Sequence, residues 1–284
     1  MSTSVLYDVP GPRSTRRHRL YGVATAAVLL AGTAWVVAVL ADKEQLSGEK
    51  WDFASDPDTW RAILTGLRGT LEVAFFSILL ALAFGAVFAV GRLSERRWLR
   101  WPATAVIEFF RAVPLLLLIL FVFLGYGDSM GRFWALVIAL TLYNGSVLAE
   151  IFRAGVLAVP RGQREAALAI GLTKSQAMRL VLVPQAVRTM MPAIISQSVV
   201  ALKDSALGYV IAYSELSHTA KDIYVFYNNP LQAGLLIAAV YVVLNYSLSK
   251  LAVFLEARQR RTTGGNATSA PTRVESGMGG VGAV

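Results

Sequence analysis

The sequence predicts an all-α integral membrane protein, a helical bundle of about six transmembrane helices. Of its residues, 55% are hydrophobic and only 16% are charged, and the mean hydropathy is +0.54. This composition is too apolar for an ordinary soluble domain. The apolar residues also form runs of about 20 residues, which is the length that an α-helix needs to cross the hydrocarbon core. The predicted spans are residues 20–41, 69–90, 103–125, 133–156, 186–211 and 231–255.

The first apolar run follows a basic N-terminal segment, residues 1–19. A cleaved signal peptide is the alternative for such a run, but this one is long for a signal peptide and lacks a clear small-x-small cleavage site. We therefore expect an uncleaved span at 20–41, followed by an acidic extracellular loop at 42–68. The remaining segments are a helical core at 69–257 and a tail at 258–284, whose Gly-, Ser- and Thr-rich composition predicts disorder.

The distribution of basic residues predicts the orientation. Lys and Arg number 27 against 18 Asp and Glu, which gives a net charge of +9. The basic residues cluster on the side of the membrane that holds both termini and the segment at 158–184, as the positive-inside rule requires of cytosolic segments. We therefore expect both termini in the cytosol. The same rule explains the positive charge, so we expect no nucleic-acid partner.

Residues 158–184 are too polar for a membrane span and lie between two predicted spans. Their pattern predicts two short helices around a turn. Gly171 suits a helix C-cap, because glycine adopts the left-handed conformation without a Cβ clash. Thr173 and Gln176 have the spacing of a capping box, which begins the second helix. We expect Pro184 to end that helix and the residue before it to be extended.

The same segment has the features of a docking element. Glu165 places one acidic group at its front, and the small side chains of Ala166 and Ala167 would let the backbone of another protein approach closely. The sequence therefore predicts a compact cytosolic element that binds a partner protein.

Polar residues within the spans are costly in lipid, so they must face protein or water. Glu108 and Arg111 are three residues apart and could pair on one helical face, either as a structural anchor or beside a pathway. Pro114 frees a backbone carbonyl and can kink the helix. Asn144 could form only an interhelical hydrogen bond or could line a polar route. The candidate pathway or gate residues are Arg111, Pro114, Asn144, Glu150, Lys203, Asp204 and Ser205.

The sequence contains no recognisable catalytic set. It has no cysteine, and its two histidines, His18 and His218, lie outside the spans and far apart, so we expect no metal site. A phosphate-binding loop and a nucleophile elbow are also absent from the sequence. We therefore expect a non-catalytic transport protein driven by a partner. The alternatives are an ion-coupled secondary transporter of small polar solutes, which would use intramembrane carboxylates, and a membrane-embedded enzyme.

Three sequence stretches carry a family resemblance. They are AEIFRAGVLAVPRGQREAALAIGLTKSQAMRLVLVPQAV at 149–187, FRAVPLLLLILF from Phe110 and LKDSALGYVIAYSEL from Leu202. Together they resemble the permease subunits of bacterial polar amino acid ABC importers, the type I importers with an EAA loop. The opening VLYDVPGPR and the acidic first outer loop further resemble actinobacterial glutamate-uptake permeases.

This resemblance implies a five-helix type I importer core preceded by an N-terminal span, in the cytoplasmic (inner) membrane. It implies two ATP-binding subunits that hold ATP and Mg, a second permease chain that is identical or a sister subunit, and an extracytoplasmic amino acid-binding protein. This chain would itself bind no cofactor. Its substrate would be an amino acid, with glutamate first and glutamine, aspartate and basic amino acids as alternatives. The segment at 158–184 would be the coupling loop, with ATPase-coupling residues Arg161, Gly162, Glu165, Ala166, Ala167, Gly171 and Pro184.

Overall fold

The computed structural model describes residues 11–263, and all of the regular structure in that range is helical. The α-helices are α1 Pro12–Asp42, α2 Pro57–Leu93, α3 Arg97–Ala112, α4 Leu115–Leu157, α5 Arg161–Ala169, α6 Lys174–Gln176, α7 Val183–Asp204, α8 Leu216–Tyr227 and α9 Pro230–Thr263. The described residues also contain three shorter helical segments, which are 3₁₀ helices at Gly48–Ser55 and Ser205–Ile211 and a π-helix at Ala177–Leu182.

Within the described residues, five helical stretches are long and apolar enough to cross a membrane. They are Arg13–Asp42, Pro57–Leu93, Leu115–Leu157, Lys174–Ile211 and Pro230–Lys250. The all-helical membrane bundle is thus confirmed, whereas the structure does not support the predicted count of six spans.

The difference arises at the predicted span 103–125. The helix α3 ends at Ala112, because Pro114 has no N–H to continue it and Val113 before the proline is extended (φ −75°, ψ 127°). The next helical stretch, α4, begins after Pro114 and reaches the end of the predicted span 133–156. Its backbone leaves the helical conformation at Gly131 (φ 77°, ψ 164°), so two helices meet there at a kink, and only glycine adopts such a positive φ readily.

The chain divides into two compact units. Among the described residues, the first comprises 11–65 and 219–238, and the second comprises 66–218 and 239–263. Residues 1–10 and 264–284 lie outside the described part of the chain, and so does most of the tail that the sequence predicts to be disordered. The first part of that predicted tail is helical, because α9 extends to Thr263.

In the first unit, the predicted acidic loop at 42–68 is largely helical. It contains the 3₁₀ helix Gly48–Ser55 and the first turns of α2. Lys50 Nζ donates to the carbonyl of Asn228 (3.1 Å), and Asn229 Nδ2 donates to the carbonyl of Lys50 (3.2 Å). Tyr227 donates its hydroxyl hydrogen to Asp56. The 3₁₀ helix is therefore fixed to the corner between α8 and α9.

In the second unit, α4 is the central helix. Its side chains Ile119, Leu136 and Leu140 are fully buried and form the core with neighbouring residues of α2 and the 3₁₀ helix Ser205–Ile211. The helices α2 and α4 cross closely at Gly85 and Gly145. A Cβ at Gly85 would lie 2.9 Å from Leu148 Cβ and 3.0 Å from the carbonyl oxygen of Gly145, so the absence of side chains permits this contact.

Candidate functional site: the coupling loop and the polar pathway residues

The first helix of the coupling loop (158–184) is α5, and it ends in a Schellman motif. Gly171 has φ +88°. Its N–H donates to the carbonyl of Leu168 (3.0 Å), and the N–H of Leu172 donates to the carbonyl of Ala167 (3.2 Å). Both bonds satisfy carbonyls that the end of the helix would otherwise leave free. The predicted C-cap at Gly171 is thus confirmed.

The second helix begins with the predicted capping box. Thr173 Oγ1 accepts from the N–H of Gln176 (3.3 Å), and Gln176 Oε1 accepts from the N–H of Thr173 (2.9 Å). This start of the helix is therefore confirmed.

The prediction that Pro184 ends this helix is wrong. The chain passes through the π-helix Ala177–Leu182 directly into α7, and Val183 is helical (φ −61°, ψ −45°) instead of extended. A π-helix has wider i→i+5 spacing, and a proline in the first turn of the following helix needs no N–H partner. The second helix of the coupling loop, from Lys174 onward, and α7 therefore form one continuous helical stretch.

The surface of α5 is mostly exposed. Arg161, Gly162, Glu165 and Ala166 are exposed, as expected of a docking element. Ala167 is only 3% exposed, so its small side chain serves the packing of this chain and offers no surface to a partner. Exposed apolar side chains accompany the charged ones, and Ile170, which was not among the predicted docking residues, is 78% exposed.

Glu95, in the turn between α2 and α3, holds the coupling loop. Lys174 Nζ donates to both carboxylate oxygens of Glu95 (2.9 Å each), and Arg164 lies 3.7 Å from one of them. The hydrogen bond from Lys174 lowers the pKa of Glu95. Glu95 thus contacts the start of the second helix and also α5. This role of Glu95 was not predicted, because its partners lie far along the chain.

Two of the predicted pathway residues, Arg111 and Glu150, lie in a separate ionic cluster where α2, α3 and α4 converge. Arg92 donates to Glu150 (2.7 Å) and to Glu108 (2.9 Å), and Arg153 donates to Glu150 (2.5 Å). Arg111 lies 3.7 Å from Glu108, which is the predicted pair. We call these residues the inner charge network: Arg92, Glu108, Arg111, Glu150 and Arg153.

A second polar cluster lies between α4 and α7. Gln197 Nε2 donates to Asn144 Oδ1 (2.7 Å), and Asn144 Nδ2 lies 3.4 Å from Asp204 Oδ2. Asn144 is 1% exposed. The structure thus joins two predicted pathway residues, Asn144 and Asp204. It adds Gln197, which lies seven residues before Asp204 and therefore on the same face of α7.

The other predicted pathway residues lie elsewhere. Ser205 is buried and donates to the carbonyl of Leu202 (2.6 Å), so it caps the end of α7. Lys203 lines a different cavity, together with Tyr241 and Asn245 of α9. Pro114 separates α3 from α4.

A buried carboxylate orders the segment that follows α7. Glu215 is fully buried and accepts from the N–H groups of Ser217 and His218 (2.8 Å each) and from the Tyr241 hydroxyl (2.7 Å). Burial raises the pKa of Glu215, and these hydrogen bonds oppose the shift. Glu215 thus fixes the beginning of α8 to α9.

These features define a class of protein. Apolar helices able to span a membrane, polar clusters between them and an exposed polar loop continuous with α7 are typical of a membrane transport protein. In the part of the chain that the structure describes, no group of three or more His, Cys, Asp or Glu residues could hold a metal ion.

Residues 78–261 match the family described as the inner membrane component of binding-protein-dependent transport systems, and the chain belongs to this family. It is 44% identical to the glutamate transport system permease protein GluD of Corynebacterium glutamicum, over 78% of this chain and 84% of the relative. It is 38% identical to the probable glutamine ABC transporter permease protein GlnP of Bacillus subtilis, over 68% and 92%. It also matches a chain in a crystal structure of an amino acid ABC transporter with histidines (32% identity, TM-score 0.68, 72% of this chain and 98% of that chain).

The family confirms the expectation drawn from the sequence motifs. The chain is a non-catalytic permease component of an ABC transporter, located in the inner membrane, and the nucleotide is bound by a partner ATPase. A membrane-embedded enzyme and an ion-coupled secondary transporter are not supported.

Proposed function

We propose that this chain is the permease of an ATP-driven importer of glutamate. The observation that carries the proposal is the 44% identity to a glutamate permease over 84% of that protein's length. A relative named for glutamine is 38% identical, so glutamine is the substrate against which glutamate must be compared.

The proposed assembly contains two permease chains, identical or sister subunits, and two cytosolic ATP-binding subunits. An extracytoplasmic binding protein delivers the amino acid, which agrees with the description of the family as binding-protein-dependent. Both termini lie in the cytosol, an orientation supported by the excess of basic residues on the side of the coupling loop.

The coupling loop docks on an ATP-binding subunit through the exposed face of α5. Glu165 meets a basic group there, while Ala166 and Ile170 supply apolar contact. Of the other proposed coupling residues, Gly171 sets the bend after α5 and Pro184 lies in the first turn of α7.

Movement of the coupling loop reaches the membrane along α7. The helical stretch from Lys174 to Asp204 is continuous through the π-helix. At a rise of 1.5 Å per residue it is about 45 Å long. A helical element of this length connects the turn that follows α5 to the cluster of Asn144, Gln197 and Asp204. We place the translocation path at this cluster, where amide and carboxylate groups at membrane depth replace water for a polar solute.

Reconstitution tests the function directly. The chain, its copurifying ATP-binding subunit and the binding protein encoded with them are placed in proteoliposomes, and uptake of radiolabelled glutamate, glutamine and arginine is measured with and without ATP. We expect ATP-dependent uptake with glutamate preferred. Preference for glutamine would correct the substrate, and uptake that needs neither ATP nor the partner would contradict the importer function.

A further inference from the structure

The helix α3 has an apolar face that the described residues leave exposed. Its inner face packs into the second unit through the buried side chains of Ala103 and Ile107. The opposite face carries five exposed apolar side chains that are three or four residues apart, so they form one stripe along the helix. This stripe is Trp98, Trp101, Ala105, Phe109 and Ala112. An exposed apolar stripe on a membrane protein meets either lipid or another protein chain.

Two tryptophans begin this stripe. Trp98 is 66% exposed and Trp101 is 70% exposed. Neither indole N–H donates a hydrogen bond to a residue that the structure describes. Tryptophan is enriched where the hydrocarbon core meets the headgroups, because its ring contacts acyl chains while its N–H reaches a polar group. The pair therefore indicates that the start of α3 lies at the level of the headgroups.

The tryptophans are flanked by three arginines, which are Arg96, Arg97 and Arg100. All three side chains are exposed, and none forms an ion pair within residues 11–263. The neighbouring Glu95 is already bonded to Lys174 and lies 3.7 Å from Arg164. The start of α3 thus has an excess of positive charge that an anion would balance.

The contact of Glu95 with the coupling loop indicates the side of the membrane. Because we place the coupling loop in the cytosol, the arginines beside Glu95 lie at the cytosolic boundary of the bilayer. Trp98 and Phe109 are about 17 Å apart along the helix at 1.5 Å per residue, so the stripe is long enough to reach about halfway across the hydrocarbon core. The side of the membrane rests on the proposed orientation, whereas the lipid binding proposed below does not.

An anionic phospholipid matches both parts of this surface. Its phosphate can accept paired hydrogen bonds from the planar guanidinium groups, and its acyl chains can cover the apolar stripe. A soluble anion would bind the arginines but would leave the stripe uncovered. Basic residues beside tryptophans on an amphipathic helix are typical of a surface that binds anionic lipid.

We propose that the start of α3 binds anionic phospholipids of the cytosolic leaflet. We call the headgroup-binding part the α3 anchor patch: Arg96, Arg97, Trp98, Arg100 and Trp101. The headgroup phosphate lies among the arginines, and an acyl chain lies along Ala105 and Phe109. The inference goes beyond the proposed function, because the ligand is a membrane lipid and not the transported solute. The bound lipid lies beside Glu95 and therefore next to the coupling loop.

Quenching of tryptophan fluorescence by brominated lipids tests the proposal. The whole transporter is reconstituted in phosphatidylcholine vesicles that contain the same mole fraction of either brominated phosphatidylglycerol or brominated phosphatidylcholine. The chain has six tryptophans, so the emission of Trp98 and Trp101 is obtained as the difference between the wild type and Trp98→Phe/Trp101→Phe. This subtraction also removes the tryptophans of the other subunits.

In the wild type we expect brominated phosphatidylglycerol to quench the two tryptophans at least about twofold more than brominated phosphatidylcholine. This excess should disappear at high salt, because salt screens exposed charges. It should also disappear in Arg96→Gln/Arg97→Gln/Arg100→Gln and remain when the same three arginines are replaced by lysine. Copurification with the ATP-binding subunit verifies that each variant has folded.

The matched control is Arg132→Gln, which should leave the excess unchanged. Arg132 is exposed and, like the three arginines, forms no ion pair with the described residues. It lies about 27 Å along α4 from Glu150, which bonds Arg92 near the start of α3, so it is directed to the opposite side of the membrane.

Three results would overturn the proposal. Equal quenching by the two lipids in the wild type would show that the stripe meets the bilayer without selecting a headgroup. Absence of quenching by either lipid would show that another protein chain covers Trp98 and Trp101. An excess that persists in the glutamine variant would assign the preference to basic residues elsewhere. None of these results depends on amino acid import, so they leave the proposed function intact, and a complex that imports no amino acid would leave this lipid binding intact.

Discussion

Glu150 is the residue on which the inner charge network depends most. It bonds Arg92 (2.7 Å) and Arg153 (2.5 Å), and the three side chains are 26%, 17% and 31% exposed. A Glu150→Gln substitution keeps the shape of the side chain but removes its charge. It leaves Arg153 without the ion pair described above and leaves Arg92 with Glu108 alone.

The size of the effect follows from this partial burial. Hydrogen bonds to charged groups contribute about 1.5–3 kcal/mol each, and removal of one partner from a fully buried ion pair costs about 3–5 kcal/mol. Because glutamine can still accept hydrogen bonds and the arginines reach some solvent, we expect a loss of about 2–3 kcal/mol from the free energy of unfolding. At about 2–4 °C per kcal/mol for a chain of this size, the melting temperature should fall by roughly 5–10 °C.

The assay is the thermal unfolding of the permease in lipid nanodiscs, with Glu108→Gln as the matched control. Glu108 is 52% exposed and bonds the same Arg92 (2.9 Å), so its substitution should cost about 1 kcal/mol or less. Equal shifts in the two variants, or no shift in Glu150→Gln, would refute the conclusion that Glu150 is the centre of this network.

Three further predictions concern single contacts. Glu95→Lys should reduce the number of glutamate molecules imported per ATP hydrolysed, because the new lysine repels Lys174. The double variant Glu95→Lys/Lys174→Glu should recover most of this ratio. If it does not, the contact between residues 95 and 174 is not used in coupling. Gly171→Val should destabilise by about 1–2 kcal/mol and weaken binding of the ATP-binding subunit in a pull-down, since valine is strained at φ +88°. Gly125→Ala in α4, where an added Cβ would meet no atom within 4 Å, should have little effect on either. Because the pKa of Glu215 is raised from 4.5, its contribution to stability is greatest below pH 4.5 and decreases as the pH rises through the raised pKa. The free energy of unfolding measured across this range should therefore depend less on pH in Glu215→Gln than in the wild type. An unchanged pH profile would contradict this assignment.

Local signals in the sequence were sufficient for much of the coupling loop. The Schellman motif at Gly171 and the capping box at Thr173 involve residues within six positions of each other, so their residue types determine the geometry. The prediction for Pro184 was wrong because a π-helix precedes it, and such a helix has no short sequence signal. The predicted third span did not allow for the helix break at Pro114.

The contacts that define the sites were harder to predict, because they join residues distant in the sequence. Glu95 and Lys174 are 79 positions apart, and Arg92 and Glu150 are 58 apart. Only the packing of the helices brings such residues together. The same packing separates neighbours, since Lys203 and Asp204 lie in different polar surroundings although they are adjacent. Periodicity could have indicated Gln197, which shares the face of Asp204 on α7.

The central claim is that the exposed face of α5 couples this permease to an ATPase that drives amino acid import. The most direct test is ATP-dependent glutamate uptake by the complex with Glu165→Lys, beside the control Asp58→Lys, which changes an exposed acidic residue at the start of α2. We expect uptake to be abolished in Glu165→Lys, with normal amounts of permease in the membrane, and nearly unchanged in Asp58→Lys. Wild-type uptake by Glu165→Lys would contradict the assignment of α5 as the coupling helix.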